Sequence, residues 1–496
     1  MEQALRQNKM GTEREGKLLL SMGWPIILAM LVQAFYNIID SYFVAQLDSL
    51  GAEALMRILG DLYDPSLVGF IGDKALNALS TVYPIQMLLI AVAVGTSMGV
   101  NSLISRRLGE RRFADANRAA ANGIVVLLIS AAAFLVFGLA LSDSFMRWQD
   151  SDPIVQMFGS DYMKICLSLC VGIFVSCGIE RIMTAQGRTV AAMLMQLSGA
   201  VVNIVLDRVF VLGWWFIPAM GVKGAAIATV IGQFTSMTLA ISILLFGKHD
   251  IRMKWKDFRL NGRTVYEIYR VGLPSILTQA IGTVLTFGMN NVLRSLGEAH
   301  AALNPAVHYV DAYKGAYGLY FKLQSIIFMP VFGLTNAAMS ILGYNFGARN
   351  RKRLMRVFWI MMLYCCAFMA IGTIVFQVGA EGIIGLFEVS AFTQEVSVQA
   401  VRTLSWSFVI AAACISMITV FNATDKGLYG AICSLERQLI VLLPLAALFA
   451  ALFDSVQAVW IAFPISEAVT LLVAGLLFRK LYREKIRPLD ESLEER

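Results

Sequence analysis

Histidine is almost missing from this chain: His249, His300 and His308 are the only three in 496 residues, and all fall in connections between apolar blocks. That excludes a histidine-based metal centre or proton relay inside those blocks. Cysteine is sparse and scattered. Cys166, Cys170, Cys177, Cys365, Cys366, Cys414 and Cys433 lie in or at the ends of apolar stretches, without metal-site spacing to histidine. They read as small packing residues, and no metal or cofactor is expected. Charge is scarce too, at 15% Asp, Glu, Lys and Arg, against about 25% in a soluble domain. No stretch is left over for a water-facing domain.

What is present is hydrocarbon. The chain is 58% hydrophobic with mean hydropathy +0.67, and apolar runs of about 20 residues recur along its whole length, as membrane-crossing helices require. The polar segment 1–17 is followed by an apolar run too long for a cleaved signal peptide. Twelve spans are expected: Leu18–Leu47, Ala75–Ser105, Ala119–Leu141, Tyr162–Ala185, Val190–Leu212, Val222–Phe246, Val265–Leu296, Ala316–Tyr344, Val357–Val378, Val398–Phe421, Tyr429–Phe453 and Val456–Leu481.

The formal charge of +7 describes topology, not nucleic-acid binding. Basic clusters follow span two (Arg106, Arg107, Arg111, Arg112, Arg118), span six (Lys248 to Arg263), span eight (Arg349 to Arg356) and span twelve (Arg479 to Arg487). The intervening connections are acidic or nearly neutral, with Asp143, Asp150, Asp152, Asp161, Glu381, Glu388 and Glu395. The positive-inside rule then puts both termini in the cytoplasm of a multi-pass plasma (inner) membrane protein. Two outer connections, 48–74 and 297–315, are long; 52–63 has the pattern of a short amphipathic helix.

The chain also repeats itself. PIQMLLIAVAVGTSMGVNSLISRRLGERRFADANR, from Pro84 to Arg118, aligns without a gap on KLQSIIFMPVFGLTNAAMSILGYNFGARNRKRLMR, from Lys322 to Arg356, and WPIIL at Trp24 echoes LPSIL at Leu273. The expected architecture is all-α: two pseudo-symmetric six-helix lobes, 18–246 and 264–481, joined by a cytoplasmic linker 247–263, with short cytoplasmic segments 1–17 and 482–496. Transporters built from such repeats place their sites near the midplane.

Two spans carry acids where acids are costly. In span one, Gln33, Tyr36, Asn37 and Asp40 share a helical face, with Pro25 below them. In span five, Asn203 and Asp207 are four apart. A carboxylate at membrane depth costs roughly 2.5–3.5 kcal/mol on insertion scales and is a functional-site candidate by default. Low dielectric disfavours the charged form of any carboxylate, which suits an acid to taking up and releasing protons. The alternative for Asp207 is a static pair with Arg208. Glu467 in span twelve is either on the transport path or paired across helices with Arg437. Glu180–Arg181 and Glu436–Arg437 read as interfacial or inter-helix pairs.

These residues resemble the multidrug and toxic compound extrusion (MATE) transporters, in the MepA-like and DinF-like bacterial branch. The resemblance runs through YNIIDSYFVAQL, ALNALSTVYPIQ, NSLISRRLGE, ERIMTAQGRTVAAM, GAVVNIVLDRVFVLG, GVKGAAIATVIGQ and YFKLQSIIFMPVFGLTNAAMSILGYNFGARNRKR. It implies a non-enzymatic antiporter that expels cationic or amphipathic aromatic compounds through a cavity within one chain, hence a monomer. Coupling is to inward protons, with sodium as the alternative. It also implies a proton site of Asp40, Asn203, Asp207 and Thr229, with Tyr36 in the cavity and Pro25 as the hinge. Substrate contacts are expected at Gln33, Tyr36, Asn37, Asp40, Asn203, Asp207, Gln279 and Glu467. Sodium-coupled members carry acids on helices seven and ten. Here helix seven has Gln279 and helix ten has no carboxylate between Val398 and Phe421.

Three other readings remain open on sequence. A lipid-linked saccharide flippase of the related fold would hold basic residues within the membrane, and here they sit in the loops. An intramembrane aspartyl protease would need a GxGD motif. A non-transporting receptor leaves the intramembrane acids unexplained.

Overall fold

The computed structural model describes residues 8–65, 70–214, 217–247, 250–303, 308–387 and 390–489. Its helices are α1 (Lys9–Thr12), α2 (Glu15–Ala45), α3 (Ala52–Leu59), α4 (Ile71–Gly109), α5 (Phe113–Gln149), α6 (Pro153–Ser168), α7 (Val171–Ala185), α8 (Thr189–Val211) and α9 (Val222–Phe246). They continue as α10 (Gly262–Leu303), α11 (Tyr309–Gly347), α12 (Arg351–Ile384), α13 (Ala391–Ser405), α14 (Phe408–Ala423), α15 (Gly427–Leu435), α16 (Leu443–Phe453) and α17 (Val456–Leu481). Ten spans among the described residues are long and apolar enough to cross a bilayer, and two bent helix pairs bring the number to twelve. The chain is an all-α polytopic membrane protein.

The bent pairs are the fourth span and the tenth. Helices α6 and α7 meet at 47° and α13 and α14 at 49°, so the expected continuous spans 162–185 and 398–421 are each broken. A break frees backbone carbonyls that lipid cannot satisfy. At the second, neighbouring α12 supplies donors: Thr373 Oγ1 reaches the Ser405 carbonyl at 2.9 Å and Gln377 Nε2 the Arg402 carbonyl at 2.6 Å. Span eleven is interrupted differently. Residues Glu436–Leu442 form a π-helical stretch, and Pro444 follows. A proline has no N–H to give the preceding turn, and the wider turn absorbs that loss.

The repeat is carried in backbone conformation. Non-glycine residues Arg111 and Arg349 adopt φ of 59° and 57°, and Gly187 and Asp425 adopt 80° and 65°. Each pair has the same separation as Pro84 and Lys322 in the sequence repeat. The ends of α4 and α11 also meet reciprocally. A Cβ placed on Gly109 would lie 2.0 Å from the Tyr344 carbonyl oxygen, and one on Gly347 would lie 2.1 Å from that of Arg106. Only glycine allows backbones this close.

By internal contacts the chain forms two compact units: 1–27, 102–112 and 269–496 in one, and 28–101 and 113–268 in the other. The first takes in 1–27 and 102–112 together with the second half of the chain, and the second holds the rest of the first half through residue 268. The basic segment 247–263 is pinned rather than loose. Asn122 Nδ2 donates to the carbonyls of Asp257 (3.0 Å) and Arg259 (3.2 Å), and its Oδ1 accepts from Asn261 N (2.8 Å).

The long outer connections are shorter than expected. Helix α4 starts at Ile71, and α10 and α11 extend to Leu303 and from Tyr309, so most of 297–315 is helical. Arg294 and Glu298 pair at 2.7 Å along α10, an i,i+4 contact that suits a helix end standing in water. The amphipathic helix does form as α3, burying Leu55 and Leu59. Asp152 caps α6 by accepting from Ile154 N at 2.8 Å and pairs with Lys74. Burial alone would raise the Asp152 carboxyl, but Lys74 and the capping N–H outweigh it and hold it below its ordinary value. Its contribution is therefore complete at neutral pH and is lost as acid titrates through that lowered value.

In the first unit Asp425 is clamped by two cations, Arg106 at 3.3 Å and Arg270 at 2.8 Å. Arg106 and Asp425 are about nine-tenths buried. Asp425→Ala strands Arg106 and should cost about 3–5 kcal/mol, read as a fall in the melting temperature of the detergent-solubilised protein. Asp425→Asn, which keeps one acceptor and tolerates positive φ, should cost less.

Candidate transport site

Small residues bring α8 and α9 together. A Cβ on Gly199 would meet the Gly232 carbonyl at 2.8 Å, and one on Gly232 would meet the Gly199 carbonyl at 2.7 Å. One turn from this crossing, Asn203 lies opposite Thr229. Asn203 Nδ2 donates 3.4 Å to Asp207 Oδ1 and lies 3.4 Å from Thr229 Oγ1. All three side chains are buried, Asp207 completely. Arg208 does not follow it inward: it is exposed and donates to the Gly213 carbonyl at 3.3 Å.

Helix α2 runs unbroken through Pro25 to Ala45, which keeps Gln33, Tyr36, Asn37 and Asp40 in one helical register. Gln196 Nε2 on α8 donates to Gln33 Oε1. Sequence reading missed Gln196, although it lies one turn from Gly199 on α8. Tyr36 is partly buried. The side chains of Asn37 and Asp40 lie outside the described structure, as do His249 and Glu388.

In the second half Glu467 is held by Arg437 Nη1 at 3.1 Å, the cross-helix pairing rather than a free acid. Thr470 Oγ1 donates to Glu436 Oε2 at 3.1 Å, and Ser466 Oγ donates to the Arg437 carbonyl at 2.6 Å. Glu436 thus belongs to a partly buried network between the π-helical stretch and α17, the inter-helix alternative for the Glu436–Arg437 pair. Gln279 is exposed on α10 and takes no part in that network among the described residues.

A domain model described as MatE matches residues 50–209 and 274–448, about two thirds of the chain and most of both halves. The chain belongs to the MatE family. It is therefore a multi-pass membrane transporter and not an enzyme. The chain is 21% identical over 456 residues to an FAD transporter of Shewanella oneidensis, covering 91% of this chain and 92% of that protein. It is 22% identical over 470 residues to the multidrug export protein MepA of Staphylococcus saprophyticus, covering 94% and 95%. Its fold superposes with TM-score 0.82 on the outward-facing structure of a multidrug resistance MATE family transporter of the MOP superfamily, at 23% identity over 99% of this chain and 98% of the other.

Proposed function

We propose that this MatE-family chain is a proton-coupled exporter of cationic or amphipathic aromatic compounds. The observation that carries the reading is the buried Asn203–Asp207–Thr229 group on α8 and α9. An acid in such a place is expensive unless it is used, and its sign favours cations. Relatives of similar identity are named for FAD and for multidrug export, so site chemistry has to choose between them, and a carboxylate repels an anionic nucleotide.

In this mechanism Asp207 and Asp40 are the shared binding ground of proton and substrate, with Gln33, Tyr36, Asn37 and Asn203 as neutral contacts. Protons arriving from outside neutralise the acids and the cation leaves; deprotonation towards the cytoplasm resets the site. Competition for the same carboxylates gives antiport without a further device. Pro25 is the hinge of α2, and the boundary between compact units at 27/28 falls within one turn of it. The basic connections favour cytoplasmic termini. The sodium alternative has little to build on in the second half, because the Arg437 guanidinium already occupies Glu467. Gln279 and Glu467 remain assigned to the substrate path only as the second half's polar groups.

Ethidium efflux from energised vesicles, under a proton gradient or a sodium gradient, tests the reading. Proton-driven efflux should fall at least tenfold in Asp40→Asn. Sodium-driven efflux that survives this substitution would replace the first-half mechanism.

A further inference from the structure

At the ends of its helices remote from the basic connections, the first compact unit holds a cavity of about 360 Å³. Four rings and two acids line it: His300 from the end of α10, Tyr309 and Tyr313 from the start of α11, Phe392 and Glu395 from α13, and Asp454 from the turn before α17. No lysine or arginine lines it among the described residues. The rings are set at steep angles. Tyr309 and Phe392 lie 5.2 Å apart at 83°, and His300 lies 5.5 Å from Tyr309 at 71° and 5.8 Å from Tyr313 at 80°. We propose that this cavity is a binding site for small organic cations of the methylated-ammonium class, separate from the Asn203–Asp207–Thr229 group.

The hydrogen bonds fix its electrostatics. His300 Nε2 faces two acceptors, the Asp454 carboxylate at 3.1 Å and the Asp454 carbonyl at 3.2 Å, so it carries the proton. Nδ1 lies 2.7 Å from the Tyr313 hydroxyl, which can serve as donor or acceptor. The two carboxylates of Asp454 and Glu395 outnumber the single charge an imidazole can carry, so the cavity is net negative in either state of His300. Aromatic faces attract cations through their quadrupoles, and a carboxylate at the rim adds a Coulombic term. An anion would meet two carboxylates. A neutral apolar ligand would gain only the rings. The volume is at the small end of ligand pockets, which run from about 300 to 1,000 Å³, so the ligand is a compact head group rather than a large polycyclic drug. Asp454 itself adopts φ 45°, the left-handed region, which aims its carboxylate at His300.

The test is calorimetric titration of the purified full-length protein in detergent with choline and with its neutral isostere 3,3-dimethylbutan-1-ol. Choline should bind at least tenfold more tightly than the isostere. Asp454→Asn removes the charge while keeping a residue that tolerates positive φ, and Tyr309→Ala removes a ring. Each should weaken choline by about fivefold or more, while Tyr309→Phe keeps the ring and the affinity. Asp207→Asn removes any cation held by the transport acids, and the choline binding that remains should still be weakened by Asp454→Asn and Tyr309→Ala, which separates this site from those acids. Equal affinity for choline and the isostere would overturn the proposal, as would no choline binding. So would binding that ignores Asp454→Asn and Tyr309→Ala, or binding lost in Asp207→Asn instead.

Discussion

Asp207→Asn should abolish gradient-driven efflux while leaving the protein folded. Asparagine is nearly the same size and still offers Asn203 an amide oxygen at the position of Oδ1, so the Asn203–Asp207 contact within α8 is kept and the Asn203–Thr229 contact to α9 at 3.4 Å has no reason to open. What is lost is the ionisable group. A side chain that cannot exchange a proton cannot couple one to a cation, and proton-driven ethidium efflux should fall to that of empty vesicles. The melting temperature should hold, because a buried carboxylate is replaced by a neutral amide of the same shape and no charge is stranded. Asn203→Ala and Thr229→Val remove neighbours of the acid but not the acid, and should slow efflux by smaller factors. Wild-type efflux in Asp207→Asn would remove this residue from the mechanism.

The largest effect on stability should come from Gly109→Val or Gly347→Val. At both positions the obstacle to a side chain is a carbonyl oxygen of the opposing helix, 2.0 Å and 2.1 Å from the new Cβ. Backbone has no rotamer to turn aside. The helices must part, and separation breaks the contact on both sides at once because it is reciprocal. Overpacking usually costs about 1–3 kcal/mol, and here the upper end is the starting point. Each variant should lose its monodisperse peak in fluorescence-detected size exclusion or melt far below wild type. Gly51→Ala and Gly475→Ala, where the added Cβ meets nothing within 4 Å, are the matched controls. A Gly109→Val protein as stable as these controls would show that α4 and α11 do not meet this closely.

Much of this was legible in the residues. Hydropathy found the twelve crossings, and Asn203 and Asp207 declared themselves by being polar at helical spacing in an apolar run. Thr229 came only from family resemblance, since a threonine in a membrane helix is unremarkable to composition. The breaks at Leu169–Cys170 and Trp406–Ser407 carry no proline. The second is held by Thr373 and Gln377, which lie on another helix. The helical ends at 297–303 and 309–315 were read as loop because hydropathy reports lipid contact, not helicity. Glu436 and Arg437 read as an interfacial or inter-helix pair, and the Arg437 partner Glu467 was legible as the acid on span twelve, whereas Thr470 as the partner of Glu436 came only with the fold. Tyr309 and Tyr313, four apart, were a detectable signal for the aromatic cavity, but only the fold brings His300 and Phe392 to them.

Backbone conformation has outlasted side-chain identity in this duplicated chain. Where the first copy turns left-handed at Gly187, the second makes the same turn with Asp425, a residue that pays for it in strain and returns it as an anchor for Arg106 and Arg270. The turn is thus an heirloom of the duplication, and the carboxylate is what one copy has since made of it. Lineages descended from such a doubling can diverge in what their halves recognise, because new side chains are fitted to turns that were already there.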